Sequence, residues 1–229
     1  MSRFLKFTLL AVMLLSPAVL FAHDITSADQ ETLNNGGLLS YVLVGARHMI
    51  TGYDHLLFLA GVIFFLKKFK DILKFITLFT AGHCITLIGA TYLELEVNEY
   101  FIDAIIGLSV LYKGFENLKG FERYFTFKSP NLLVMVFVFG LIHGLGLSTR
   151  LQSFEIGSEQ LLLKILSFNL GVELGQIAAL LPIIFLLKYW QKKPSYPAFF
   201  KAANVYLIIA GIGLFFYQVW LWQSQVLAH

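Results

Sequence analysis

Six long apolar segments leave this chain very few folds. They run at approximately 39–66, 72–94, 100–119, 131–149, 161–188 and 203–222. Each is near or above the ~20 residues a helix needs to cross the hydrocarbon core of a bilayer. Lipid offers no water to an unpaired backbone group, so only helices and closed barrels span it. Barrel strands would be shorter and would alternate apolar with polar residues, whereas these runs are continuously apolar. The expected fold is all-α: a polytopic membrane helix bundle of six transmembrane helices behind an N-terminal signal peptide. Composition agrees, with 58% hydrophobic and only 14% charged residues and a mean hydropathy of +0.74. A soluble domain carries about 25% charge. The lipid bilayer is therefore the first partner. No soluble domain and no nucleic-acid-binding composition is visible.

The beginning of the chain reads as a secretory signal. Arg3 and Lys6 precede the apolar Leu9–Leu15, Ser16-Pro17 breaks the run, and Ala22 offers a cleavage point. An uncleaved first span is the alternative. The expected organisation is a signal peptide at 1–22, a polar external lead-in at 23–38, a six-helix domain at 39–222 and an external tail at 223–229. Cleavage after Ala22 would start the mature chain at His23-Asp24, where an amine and an imidazole could chelate a metal; the plainer reading is a loose tail.

Charge asymmetry gives an orientation. Lys67, Lys68, Lys70 and Lys74 follow the first span, Lys113, Lys119, Arg123 and Lys128 surround the end of the third, and Lys188, Lys192, Lys193 and Lys201 follow the fifth. Basic residues mark cytoplasmic loops, which leaves Arg47, Arg150 and Lys164 outside. The expectation is a bacterial inner-membrane protein with both mature termini on the outer side.

Against that background stand polar residues within the apolar segments: His48, Asp54, His55, His83, Asp103, His143, Asn169, Glu173 and Gln176. Ionisable groups in lipid are costly and usually mark an ion path or a ligand site. Imidazole and carboxylate together suit divalent transition metals. Counting ~1.5 Å per helical residue puts them at comparable depth, in the outer half to the middle.

His48 and Asp54-His55 pose a geometric problem. Seven residues share a helix face, but in a straight helix they lie about 10.5 Å apart along the axis. Either Gly52 breaks the helix and brings the histidines together, or they serve different sites. An interfacial His48 beside an Arg47–Asp54 pair is the plainer alternative. His143 sits between Gly140 and Gly144, a small-xxx-small face that admits close helix approach; it could equally do no more than bond a backbone carbonyl. Asn169, Glu173 and Gln176 form one stripe at i, i+4 and i+7, read either as ligands or as a hydrogen-bonded seam. Asp103 could serve the metal or simply complement its helix dipole. Cys84, the single cysteine, follows His83 and is either a thiolate ligand or a small buried residue.

Four motifs together resemble the HupE/UreJ family of membrane proteins, from about Ser40 to Leu187. They are His48-x5-Asp54-His55-Leu-Leu-Phe, Phe79-Thr-Ala-Gly-His83-Cys-Ile-Thr86-Leu, Phe139-Gly-Leu-Ile-His143-Gly-Leu-Gly and Phe168-Asn-Leu-Gly-Val-Glu173-Leu-Gly-Gln. The resemblance implies uptake of nickel or cobalt by a secondary permease serving metalloenzyme-assembly or metal-delivery proteins. In that reading His23, Asp24 and His48 capture a divalent ion (Ni, Co or Zn). Asp54, His55, His83, His143 and Glu173 hold it nearer the midplane, with Asp103, Asn169 and Gln176 accessory. Ligand histidines must be neutral, so uptake should weaken below about pH 6. Against a permease, no obvious cytoplasmic release site exists apart from Glu116 and Asn117. Two other functions fit the same residues: an intramembrane zinc-dependent hydrolase with Asp54 or Glu173 as general base, and a metal-binding assembly partner that transports nothing.

Overall fold

The computed structural model describes residues 27–64, 69–125, 128–152 and 159–228. These form eight α-helices and one π-helical turn, with no strand among the described residues. They are α1 (Ser27–Asn35), α2 (Leu38–Thr51), α3 (Tyr53–Ile63), α4 (Phe69–Tyr92), α5 (Glu99–Asn117), α6 (Leu132–Gln152), α7 (Leu161–Trp190) and α8 (Tyr196–Ala228), with the π turn at Phe121–Phe125 after α5. The signal peptide, His23 and Asp24 lie outside the described residues.

The first five expected segments reappear within about three residues of their predicted ends, the last is longer at both ends, and there are two departures in kind. The lead-in is helical: α1 buries Leu33, and its Asp29 accepts a 2.7 Å ion pair from Arg47 of α2. Arg47 therefore serves α1, and His48 beside it is buried rather than solvated at an interface. The first span is two helices. α2 stops at Gly52, whose φ of −73° and ψ of 95° are extended, and α3 starts at once. Any residue can adopt those angles; glycine contributes its weak preference for helix. The last helix also runs past its expected end, through residues 223–228 that read as a tail.

α4, α6, α7 and α8 are each long and apolar enough to cross a membrane. α5 is shorter in apolar content because Glu99, Asp103, Lys113 and Glu116 lie along it, three of them buried. Asn98 caps its first turn, the side chain accepting from Phe101 N–H at 3.0 Å.

Glycine welds these helices in pairs. A Cβ at Gly171 would sit 2.0 Å from Val42 O and one at Gly175 2.7 Å from Ala46 O, joining α7 to α2. A Cβ at Gly140 would meet Phe79 O at 2.2 Å and one at Gly144 would meet His83 O at 2.2 Å, joining α6 to α4. Gly107 and Gly211 face each other in α5 and α8. Such approach is the close packing that small residues permit between helices in lipid. The registers also fix directions. Partner numbers rise together along α2–α7 and α4–α6, so these pairs are parallel, whereas α5–α8 is antiparallel. Across α5–α6, Asp103 meets Arg150 and Tyr112 meets Phe139, and from one end of the α4–α7 seam to the other Thr77 meets Glu173 and His83 meets Asn169, so these pairs are antiparallel as well. α2, α4, α5, α6, α7 and α8 thus alternate in direction along the chain. Short α3 is buried between them: Phe58 meets Phe79 of α4 and Phe139 of α6, and Phe64 meets Phe199 and Phe200 of α8.

Candidate functional site

The break at Gly52 folds the first span so that His48 and His55 meet. Their ring centroids are 5.3 Å apart, half the axial distance a straight helix imposes. His143 of α6 adds a third ring, 4.5 Å from His55. All three are buried. They line one narrow pocket with Asp103, Ile106, Gly146, Leu147 and Arg150, with space for about one water. Gly146 allows this approach, since a Cβ there would lie 2.9 Å from Ile102 of α5.

Asp103 is not a simple dipole complement. It accepts from Arg150 Nη2 at 2.6 Å, and Arg150 Nε reaches Glu99 at 3.1 Å. The guanidinium therefore neutralises two carboxylates at this end of α5 and closes one wall of the pocket. On sequence Arg150 was one loop charge among others; its charge balance against two acids on a different helix becomes visible only in the fold.

His83 lies apart from the pocket and joins it through Phe79. That buried ring is 5.0 Å from His143, 6.1 Å from His55 and 6.4 Å from His83 between centroids. His83 Nδ1 is 2.9 Å from Asn169 Oδ1, and Asn169 Nδ2 donates to Ile165 O at 2.9 Å. The second bond fixes the amide orientation, so His83 must donate through Nδ1 and its basic nitrogen is Nε2. That Nε2 is buried and makes no hydrogen bond. His143 is set in the same tautomer, because its Nδ1 lies 2.6 Å from the Phe139 carbonyl, which can only accept.

Glu173 and Gln176 are not brought to the histidines. Thr77 Oγ1 donates to Glu173 at 2.7 Å and Thr80 Oγ1 to Gln176 Oε1 at 3.2 Å. With His83–Asn169 they make a polar seam between α4 and α7. The stripe on α7 reads in the sequence as ligands or as a seam; its threonine partners on α4 give no sequence signal of their own. The Asp54 side chain lies outside the described residues; its backbone is in the first turn of α3. Cys84 is half-buried and forms no disulfide. Among the described residues no three His, Cys, Asp or Glu side chains already converge as a ligand set for one ion.

The fold and this pocket define a class: an all-helical, polytopic membrane protein with clustered histidines enclosed in the bundle. Its family follows from comparison. A model described as HupE / UreJ protein matches residues 24–226, nearly the whole chain, and the protein belongs to that family. The family is associated with nickel and cobalt handling in membranes. No curated protein and no solved structure matches the chain.

Proposed function

We propose that the protein is a permease for a divalent transition metal, nickel or cobalt first, and that the His48–His55–His143 pocket is where the ion is held. The observation that carries this is the spacing of the His55 ring from its two neighbours, His48 and His143. A metal sits about 2.0–2.1 Å from an imidazole nitrogen and so about 3.2 Å from the ring centre. Two rings on one ion at roughly 90–109° therefore have centroids about 4.5–5.2 Å apart. The observed 4.5 Å lies at the lower end of that range and 5.3 Å just beyond its upper end.

Two further features support the reading. Metal-bound histidines usually donate their second nitrogen to a carbonyl or carboxylate, and His143 and His83 are both held this way. Asp103 is the carboxylate within the pocket, at present neutralised by Arg150. In this mechanism an arriving cation competes with Arg150 for Asp103 and with protons for the imidazoles. His83 is a second nitrogen station beyond Phe79, and Asp54, next to His55, supplies further charge. Glu173 stabilises the α4–α7 seam instead of ligating. The alternating helix directions support six crossings with the lysine-rich loops in the cytoplasm of a bacterium, after removal of residues 1–22.

Uptake of radioactive nickel or cobalt into sealed vesicles tests the reading. His55→Ala and His143→Ala should each abolish uptake and remove bound metal from the purified protein. Metal bound and lost in the variants, but never transported, would leave an assembly partner. Tightly held zinc with no flux would favour the hydrolase. Unchanged binding in both variants would refute the site.

A further inference from the structure

A second buried polar cluster lies deeper in the bundle. Lys113 of α5 is 1% exposed, and its Nζ is 2.6 Å from Glu116 Oε2. Ten residues separate Lys113 from Asp103, about 15 Å along the helix, toward the end that carries the lysine-rich loops. The fold makes room for this lysine: a Cβ at Gly61 of α3 would lie 2.8 Å from Lys113 Cγ. Beside it Asn117 Nδ2 donates to Gly61 O at 2.9 Å and to Asn204 Oδ1 of α8 at 2.5 Å. Asn204 Nδ2 in turn donates to Phe200 O at 2.7 Å. This chain of bonds fixes both amides, since each must present its nitrogen to a carbonyl oxygen. Asn117 Oδ1 is thereby committed to point elsewhere, and it is buried without a hydrogen bond.

An ion pair buried among apolar helices is expensive to build, and its contribution to stability is often small. An acceptor with no donor beside it adds to that cost. The arrangement makes sense if the oxygens of Glu116 and Asn117 are there to receive a cation and the ammonium neutralises Glu116 between arrivals. We propose that Glu116 and the neighbouring Asn117 Oδ1 form a second, oxygen-lined site for a divalent cation, and that an arriving cation displaces the tethered Lys113 ammonium from Glu116 and recruits the unpartnered Asn117 oxygen. This rests on the transport reading of the histidine pocket and extends it. Late first-row metals bind nitrogen ligands more tightly than carboxylate and amide oxygens. A site with few oxygens and a competing ammonium suits release where a histidine site suits capture. α3 joins the two, with His55 at one end and Gly61 at the other.

Cobalt titration of the detergent-purified full chain tests this, because cobalt reports nitrogen and oxygen ligation by its absorption. The wild-type protein should bind one equivalent, lost in His55→Ala. Lys113→Met removes the competing cation at nearly constant volume and should reveal a second, oxygen-ligated equivalent. Lys113→Met/Glu116→Gln should lose that second equivalent and keep the first. A well-folded Lys113→Met protein with a single equivalent overturns the proposal. Should Lys113→Met fail to fold, Glu116→Gln decides. A tenfold or greater fall in vesicle uptake with the histidine-site equivalent retained supports the release site; wild-type uptake, or loss of both readouts together, overturns it. Absence of any cobalt in the wild-type protein would instead refute the transport reading.

Discussion

Replacing Gly144 by alanine probes the packing on which the histidine pocket depends. The added Cβ would lie 2.2 Å from His83 O and 2.3 Å from Thr86 Oγ1. Ordinary contact needs more than an ångström of extra room at both atoms, and one of them is main chain. α6 must then move away from α4, and the 2.7 Å bond from Thr86 Oγ1 to Leu141 O must stretch. Overpacking of this kind costs about 1–3 kcal/mol, and a lost hydrogen bond about 1 kcal/mol. Against these stands a gain of about 1 kcal/mol in helix preference of alanine over glycine. A net loss of about 2 kcal/mol follows, by difference of those terms. His143 adjoins the substituted residue, so cobalt binding should weaken with stability. Gly89 of α4 is the control: a Cβ there meets nothing within 4 Å. Gly89→Ala should therefore be neutral or stabilising by up to about 1 kcal/mol. Unfolding by SDS in mixed micelles, followed by circular dichroism, compares the two. A Gly144→Ala protein as stable as Gly89→Ala would refute the close contact of α4 with α6.

Three further outcomes are expected. In a background with Cys84 replaced by serine, cysteines at positions 48 and 55 should be bridged by one mercuric ion, read by mass spectrometry; a continuous helix would hold them about 10.5 Å apart and unbridged. Asn169→Leu removes the acceptor that holds buried His83 and should cost about 1–3 kcal/mol in the same unfolding assay; no loss would mean that His83 is held by something else. Arg150→Gln leaves Asp103 and Glu99 without their shared cation. It should lower stability by about 2 kcal/mol, discounted for partial exposure, while cobalt binding at the histidine pocket tightens severalfold; a stable protein with unchanged affinity would refute the role of Arg150 at the pocket wall.

The helices were legible in the sequence because each apolar run is long, and lipid leaves such a run little choice of structure. The glycine faces at Gly140–Gly144 and Gly171–Gly175 were legible as faces, but not their partners, since one spacing fits any neighbouring helix. The two branches open at Gly52 depended on tertiary packing. One glycine seldom ends a helix unaided, and it is the burial of both His48 and His55 against α6 and α7 that accompanies the break. Lys113 shows the opposite failure. It reads as one more basic residue flanking a span, yet it is among the most buried side chains of the protein. Its partner Glu116 stands one helical turn away in plain view, but the room supplied by Gly61 comes from another helix.

The pairing order of the helices bears on how the protein is made. α4 meets its glycine partner α6 soon after leaving the ribosome, whereas Gly45 of α2 waits for Phe168 of α7. That gap is about 120 residues, roughly 6–24 s at bacterial elongation rates. For that interval the first half of the histidine pocket stands in the bilayer, or in the insertion machinery, with the glycine face of α2 uncovered. Nascent chains halted before α7 should therefore be the form most readily captured by membrane chaperones and proteases, and synthesis of α7 should be the step that ends their exposure.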